Sequence, residues 1–378
     1  MGVHLLEAVS RELGVAGYTT FDAFLEHDLD AVVLANYYHQ HAPFAVRALE
    51  AGKHVMSECS ACGTLAEGIA LVRAVERTGL IYMFAENYPY MVYNQEMRRL
   101  FRDGVVGKFL YGEGEYVHPD SAETKLNRSV GWNHWRNWIP ATYYCTHSIA
   151  PVMFITDTRP VRVSGFVVPH DFEDPSISLA CKRSDTAAML VLQMDNGAIV
   201  KSLHGALRGH QNYTRIHGNL GLMENCRTGD KSMLRVRREP FEKREGVPTD
   251  TVYLPDFPEH HEQAVRTGHG GGDFFTNYHF AEAIFTNQRP YLDIYRGIDM
   301  SICGILAWRS ALAGGVPIDV PDFRDEAVRI QYENDNWTAD PEIECEDKPA
   351  SSVLGEIEPN DEAKSLARQV WERQGWRE

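Results

Sequence analysis

The sequence has no long apolar run and no excess of basic residues. Its apolar stretches, such as Ala31 to Ala35, end after a few residues, whereas a membrane-spanning helix needs about 18. With 37 Lys and Arg against 53 Asp and Glu, the formal net charge is −16. Binding to nucleic acid phosphates needs a clustered positive field. We therefore expect neither a membrane protein nor a nucleic-acid-binding protein.

Paired cysteines are also missing. Seven Cys in 378 residues is an odd and sparse set, which is typical of reduced thiols in a cytoplasmic protein. The start, Met1 to Leu6, lacks the basic segment of a secretory signal. Cys59-Ser60-Ala61-Cys62 is a Cys-x-x-Cys motif without a second cysteine pair or a thioredoxin-like setting, and His-Glu-x-x-His spacing is absent. The sequence therefore predicts no metal site.

Short apolar segments alternate with helical periods in the first part of the chain. Predicted strands cover 31–35, 53–57 and 80–85, and predicted helices cover 5–13, 42–51, 65–78 and 94–103. Continuously apolar strands separated by helices indicate a parallel sheet that is covered on both faces. We expect a Rossmann-type α/β domain over residues 1–106.

The pattern changes after Gly107. Predicted strands cover 109–118, 161–168, 186–194, 198–203 and 213–217, and predicted helices cover 142–154, 273–286 and 299–313. These elements indicate an α+β domain over residues 107–323 with a large, mostly antiparallel sheet. We expect residues 324–378 to form a solvated acidic tail that wraps around the protein or dangles from it, with a short helix over 361–374.

Polar side chains follow all three predicted parallel strands. Asn36, His39 and His41 follow the first strand, Glu58 the second, and Glu86 with Asn87 the third. Ligands of such sheets bind beyond the carboxyl ends of the strands. These residues therefore mark a candidate site, although His39 and His41 are equally typical of a helix start.

Two pairs of phenol and imidazole groups occur in the second domain. Tyr116 and His118 share one face of a strand, and Tyr144 and His147 share one face of a helix start. Such pairs suit general acid and base chemistry, whereas the alternative is a set of hydrogen-bonded core residues. The segment Trp132 to Trp138 holds three tryptophans, which indicate either a sugar-binding surface or a domain interface.

Several separated motifs together resemble the Gfo/Idh/MocA oxidoreductases. They are Asp30 to Ala35, His39 to Pro43, Ala48 to Val55, Glu58, Gly268 to Phe274 and Pro317 to Phe323, in that order. The resemblance implies NAD or NADP on the first domain and a sugar or polyol against the second. Glu58-Cys59-Ser60 stands where the family usually has Glu-Lys-Pro, so the lysine that often contacts the substrate is absent.

A further set of residues resembles the NAD-dependent glycosidases and glycoside 3-dehydrogenases of that family. The resemblance implies that Tyr144 or His147 takes the proton of a C3 hydroxyl, and that Tyr116, His118 and Glu86 assist. It also implies that Asn36, His39, His41, Glu58 and Asn87 contact the cofactor, and that Trp135, Arg136 and Tyr213 contact the substrate. A homo-oligomer formed through the antiparallel sheet is expected as well.

The sequence departs from this family at its front. A strand, a Gly-x-Gly-x-x-Gly turn and a helix should precede the elements seen here, so the pyrophosphate-binding turn is assigned to no residue. Either the start has been placed too late, which we favour, or the cofactor site is degenerate. The leading hypothesis is an NAD(P)-dependent sugar or glycoside oxidoreductase. The alternatives are a redox-neutral NAD-dependent glycoside hydrolase and a sugar-binding protein or partner subunit without activity.

Overall fold

Two β-sheets and the helices between them make up the fold in a computed structural model, which describes residues 3–242 and 245–377. The α-helices are α1 (Val3–Leu13), α2 (Phe21–Leu25), α3 (His41–Glu50), α4 (Leu65–Thr78), α5 (Val92–Arg102), α6 (Ala122–Arg128), α7 (Thr146–Thr156), α8 (Pro175–Ser178), α9 (His261–Ala264), α10 (Gly272–Thr286), α11 (Ile294–Leu312), α12 (Glu326–Tyr332) and α13 (Asp361–Glu372). The strands are β1 (Ala31–Leu34), β2 (His54–Ser57), β3 (Tyr82–Phe84), β4 (Phe109–Val117), β5 (Pro160–Val168), β6 (Ala187–Met194), β7 (Ile199–Gly205), β8 (Gln211–Gly218), β9 (Gly221–Asn225), β10 (Leu234–Arg237), β11 (Asp250–Tyr253) and β12 (Ile318–Asp319).

The smaller sheet is parallel and has the order β1-β2-β3. Val32 lies beside Val55, and Met56 lies beside Met83. These four side chains are all buried, as expected for strands that helices cover on both faces. The prediction of a Rossmann-type sheet is confirmed for this part of the chain.

The larger sheet has the order β11-β10-β9-β8-β4-β7-β6-β5-β12, and β4–β7 is its parallel pair. Helices α7 and α11 pack on one face of it. At Gly114 a Cβ atom would lie 1.7 Å from the carbonyl oxygen of Ser148 in α7, and at Gly165 it would lie 2.1 Å from that of Ala307 in α11. Glycine at both positions therefore lets the helix backbones approach the sheet closely.

Strands β9, β10 and β11 were not predicted from the sequence. Each has only four or five residues, and β10 alone alternates apolar and charged residues. Strands β10 and β11 carry the ion pair of Arg235 with Asp250 at the sheet edge. The helix predicted over 299–313 begins at Ile294 instead. Asp293 is its N-cap, because the Asp293 side chain accepts a hydrogen bond from the Arg296 N–H.

The acidic tail wraps around the protein. Arg329 of α12 is buried and bonds Glu76 of α4 at 2.6 Å. In α13, Trp371 is fully buried and donates a hydrogen bond to the carbonyl oxygen of Leu126 in α6 at 3.0 Å. Of the two predicted alternatives, the tail wraps rather than dangles, and it is partly buried rather than solvated throughout.

Helix α11 connects the two sheets. Its Gly297 faces Phe84 of β3, while Ala307 faces β5. The carboxyl ends of β1–β3 thereby meet the beginning of α7 and the end of β4, where the candidate site lies. None of the described helices is both long and apolar enough to span a membrane.

Candidate active site

Two tyrosines and one histidine from separate segments form the centre of the site. Tyr116 lies on β4, Tyr144 lies in the 3₁₀ turn Ala141–Cys145, and His147 lies in the first turn of α7. The ring centroids of Tyr116 and Tyr144 are 4.7 and 5.2 Å from that of His147, and 5.8 Å from each other. The structure thus brings together residues that the sequence paired only locally.

Glu86 lies directly behind His147. Both of its carboxylate oxygens are 2.8 Å from His147 Nδ1, and Cys59 Sγ donates to it at 3.3 Å. Burial raises the pKa of Glu86, but the His147 ring and the hydrogen bonds outweigh it, so the net pKa lies below the usual value. An ionised Glu86 holds the proton of His147 on Nδ1 and leaves Nε2 able to accept one.

The same three side chains have the elements of a metal site. Cys59, Glu86 and His147 each offer one ligand atom within 4.8 Å of the other two. The hydrogen bonds from His147 and Cys59 to the Glu86 carboxylate already account for this closeness. The expectation that the chain holds no metal stays a prediction.

A cleft of about 430 Å³ opens beside Tyr116 and Tyr144. His118, Trp135 and Arg136 also line it. Arg136 stacks at 4.2 Å on the Trp135 ring and donates to the Tyr144 hydroxyl at 3.4 Å. The volume and the mixture of aromatic and polar groups suit a small sugar.

The three tryptophans of the Trp132–Trp138 segment lie in different surroundings. Trp135 lines the cleft. Trp138 instead packs against Tyr38 beside the small sheet, with 5.6 Å between ring centroids, and Trp132 packs against Trp371 of α13 at 4.8 Å. One tryptophan therefore faces the site, while the other two join parts of the fold.

The carboxyl edge of the small sheet has unpaired polar atoms. Asn36 Oδ1, His39 Nδ1 and Asn87 Oδ1 are buried, and no hydrogen-bond partner among the described residues reaches them. Glu58 is exposed at the same edge. Such atoms fit the amide and hydroxyl groups at the nicotinamide end of a dinucleotide. Residues 3–242 and 245–377 contain no Gly-x-Gly-x-x-Gly turn of the kind that holds a dinucleotide's pyrophosphate.

Two predicted site residues lie elsewhere. His41 is buried, and its ring nitrogens bond the carbonyl oxygens of Ser60 and Asn36 at 2.8 and 3.1 Å, so the side chain holds loops together. Tyr213 donates to Glu224 and stacks under Arg227. It pairs with Glu115 rather than Tyr116 across β4 and β8, so it points to the opposite face of the sheet.

The glycine-rich segment before α10 closes one side of the site. Asn87 Nδ2 donates to Asp273 Oδ1 at 2.7 Å. A Cβ at Gly272 would lie 2.5 Å from the Asn87 carbonyl oxygen, so this contact requires glycine. His269 lines the cleft. The segment is therefore a helix-entry turn that also supplies a cleft residue.

Sequence reasoning missed the lysines of the cleft. Lys125 of α6 and Lys182, which follows α8, both line it together with His204 of β7. The two lysines lie in polar segments of ordinary composition, and their proximity depends on how these segments pack against α13. No local pattern could have identified them.

Comparisons with known proteins agree with this geometry. Residues 4–86 match the family described as "Oxidoreductase family, NAD-binding Rossmann fold", and residues 173–328 match "Glycosyl hydrolase 109, C-terminal domain". A glycosyl hydrolase family 109 protein of Saccharopolyspora erythraea is 26% identical in an alignment 333 residues long, which covers 82% of this chain and 71% of the relative. An alpha-N-acetylgalactosaminidase of Shewanella oneidensis is 24% identical, and the alignment covers 78% of this chain and 70% of that protein's length.

Solved structures show the same fold. Levoglucosan dehydrogenase in complex with NADH and L-sorbose superposes with a TM-score of 0.71 at 20% identity, covering 85% of this chain and 88% of that chain. The resemblance predicted from the separated motifs is thereby confirmed. The chain is therefore similar to the Gfo/Idh/MocA oxidoreductases over residues 4–86 and to the glycosyl hydrolase 109 C-terminal domain over residues 173–328.

Proposed function

We propose that this protein oxidises a ring hydroxyl of a sugar or glycoside, at C3, with a nicotinamide dinucleotide as the hydride acceptor. The cluster of Tyr116, Tyr144 and His147 over the buried Glu86 is the observation that carries the proposal. When bound, NAD supplies the hydride chemistry. The nicotinamide end would contact Asn36, His39, Glu58 and Asn87 at the edge of the small sheet.

Side chains of this protein accept the proton of the reacting hydroxyl. When the sugar hydroxyl is oxidised, its O–H proton passes to His147 Nε2, either directly or through the Tyr144 hydroxyl. The Glu86 carboxylate stabilises the positive charge that forms on the His147 ring. Arg136 orients Tyr144 through their hydrogen bond, and Trp135 offers an aromatic face to the sugar ring. Burial, followed by the neighbouring Tyr144, raises the pKa of Tyr116, so Tyr116 stays a hydrogen-bond donor.

A second candidate is redox-neutral glycoside hydrolysis, in which the same oxidation is followed by elimination, hydration and reduction. The glycosyl hydrolase 109 domain over residues 173–328 and the relatives of that name favour it. Both candidates use the same first proton transfer, so the site residues keep their roles.

Incubation with p-nitrophenyl glycosides and NAD tests the proposal. Net accumulation of NADH supports the oxidoreductase. Release of p-nitrophenol without net NADH, together with solvent deuterium at C2, supports the hydrolase. Tyr144→Phe and His147→Ala should each lower turnover by about 10²-fold or more. Unchanged turnover in both variants contradicts the assignment of these residues.

Two further expectations belong to this proposal. The outer face of the large sheet carries Phe166 directly paired with Met189, which are 44% and 37% exposed. This exposed apolar surface supports a homo-oligomer formed through that sheet, which a mass measurement in solution tests.

The seven free cysteines support a cytoplasmic location.

A further inference from the structure

The cleft is rich in positive charge, although the whole chain has a formal net charge of −16. Lys125, Lys182 and Arg136 line it, and no carboxylate among the described residues lies within ion-pair distance of any of them. The acid of the lining, Asp120, is already paired with Arg128 at 2.8 Å and with His118 at 3.4 Å. Three cations of the cleft therefore lack an anionic partner.

The two lysines are held in place at an energetic cost. Lys125 Nζ donates to the carbonyl oxygen of Ser176 at 2.7 Å. Lys182 has no hydrogen-bond partner within the parts of the chain that the structure describes. Burial is the main cause that lowers the pKa of each lysine to about 8; the charge of Lys125 acts in the same direction on Lys182, and Asp185 opposes it, as Asp120 and Asp174 do at Lys125. A ligand that brings negative charge would offset this cost.

We propose that the cleft binds a sugar that carries an oxyanion substituent and that the ammonium groups of Lys182 and Lys125 bind this substituent. A carboxylate, a sulfate and a phosphate share the required chemistry. The inference rests on the proposed function, because it names the class of sugar that the reacting groups of the same cleft would act on.

The position of the lysines supports a substituent apart from the reacting hydroxyl. His204 lies within electrostatic range of both His147 and Lys182. The lysines therefore line the same cleft as Tyr116 and Tyr144, with His204 near both Lys182 and His147. A neutral sugar would leave Lys125 with only the Ser176 carbonyl oxygen and Lys182 with no hydrogen-bond partner among the described residues. Charged groups that lack a counter-charge in a binding site discriminate strongly between ligands.

The phosphates of the dinucleotide are not the partner that this position favours. Lys125 belongs to α6, which packs against α13, and Lys182 lies in the loop between α8 and β6. The unpaired atoms that fit the nicotinamide end lie at the edge of β1–β3 instead. NADH affinity should therefore not depend on the two lysines.

The test measures binding of matched sugar pairs to the full chain by isothermal titration calorimetry. The pairs are glucuronate with glucose, galacturonate with galactose, glucose 6-phosphate with glucose, and N-acetylglucosamine 6-sulfate with N-acetylglucosamine. We expect the charged member of at least one pair to bind about tenfold more tightly or better, with a preference that shrinks at high salt. The pair that shows the preference identifies the oxyanion.

Variants locate the effect. Lys182→Met and Lys125→Met should each reduce the preference to about twofold or less, whereas the exposed Lys108→Met serves as the matched control and keeps it. Thermal melting and NADH binding should be unchanged in all three variants, which excludes misfolding and loss of the cofactor.

Two outcomes overturn the inference: no charged sugar binds better than its neutral partner, or Lys182→Met and Lys125→Met both keep the full preference. Failure of the proposed function is a different result, because charged sugars would then bind in a lysine-dependent manner without any NAD-dependent turnover. Turnover of neutral sugars alone, without a binding preference for charged ones, removes the inference and leaves the proposed function.

Discussion

Glu86 is a fully buried carboxylate that remains ionised because of its neighbours. It is 0% exposed, and His147 and Cys59 both donate hydrogen bonds to it. A buried charge of this kind is costly unless it is paired. Its pairing with a histidine at the cleft indicates that the charge serves to orient and stabilise the His147 ring rather than to bind substrate.

Glu86→Gln removes this charge and keeps the shape of the side chain. We expect kcat to fall by about 10²-fold, because the positive charge on His147 loses its partner, while KM changes by less than about twofold. Steady-state kinetics over a range of pH measures both. Glu50→Gln, an exposed residue that pairs with Arg77, is the control. A kcat equal to that of the wild type in Glu86→Gln would remove Glu86 from the mechanism.

At the scale of the element, α4 shows how local sequence signals decide a boundary. Thr64 accepts a hydrogen bond from the Glu67 N–H at 3.1 Å, and the Glu67 carboxylate accepts one from the Gly63 N–H at 2.8 Å. This Thr-x-x-Glu pattern is a capping box. The predicted helix 65–78 is correct at both ends for that reason, with Gly79 at φ 66° closing it.

The capping carboxylate makes stability depend on pH. Burial raises the pKa of Glu67 to about 6 from the model-compound value of 4.5. The folded state therefore holds the proton more tightly than the unfolded state does. This contribution is fully present below pH 4.5 and is lost as the pH rises through about 6, which corresponds to about 2 kcal/mol.

Glu67→Gln cannot ionise and should lose this dependence. Urea unfolding at pH 4.5 and at pH 7 should show the wild type losing about 2 kcal/mol relative to the variant across that interval. The exposed Glu372→Gln should follow the wild type. If the free energy of unfolding had the same pH dependence in the wild type and in Glu67→Gln, the pKa of the Glu67 carboxyl would not be raised.

Elements with strong local patterns could be predicted, but contacts between distant segments could not. The parallel strands and the pairs Tyr116 with His118 and Tyr144 with His147 follow from periodicity. Strands β9–β11 are only four or five residues long and carry too little local pattern to be recognised without their partner strands. The face on which Tyr213 lies depends on the register of β8 with β4, so its predicted place in the cleft was wrong. Lys182 reaches the cleft through packing alone.

At the scale of the whole molecule, the tail supports the helix α6, which lines the cleft, from behind. Trp371 of α13 is fully buried against α6, where it donates to the Leu126 carbonyl oxygen, one residue after Lys125. Ala363, Ala367 and Val370 share the same small apolar cluster with Leu126 and Cys181. A segment far along the chain therefore fixes the helix that carries one of the ammonium groups.

Trp371→Ala should accordingly affect both stability and binding. Loss of the buried ring should lower the free energy of unfolding by about 3–5 kcal/mol, and the loosened α6 should weaken binding of the preferred charged sugar more than that of its neutral partner. Urea unfolding and calorimetric titration measure the two effects. Phe285→Ala is the control, since that ring is 89% exposed and its removal should change stability by less than about 0.5 kcal/mol. If Trp371→Ala lost stability but bound both sugars as the wild type does, α13 would support the fold without shaping the cleft.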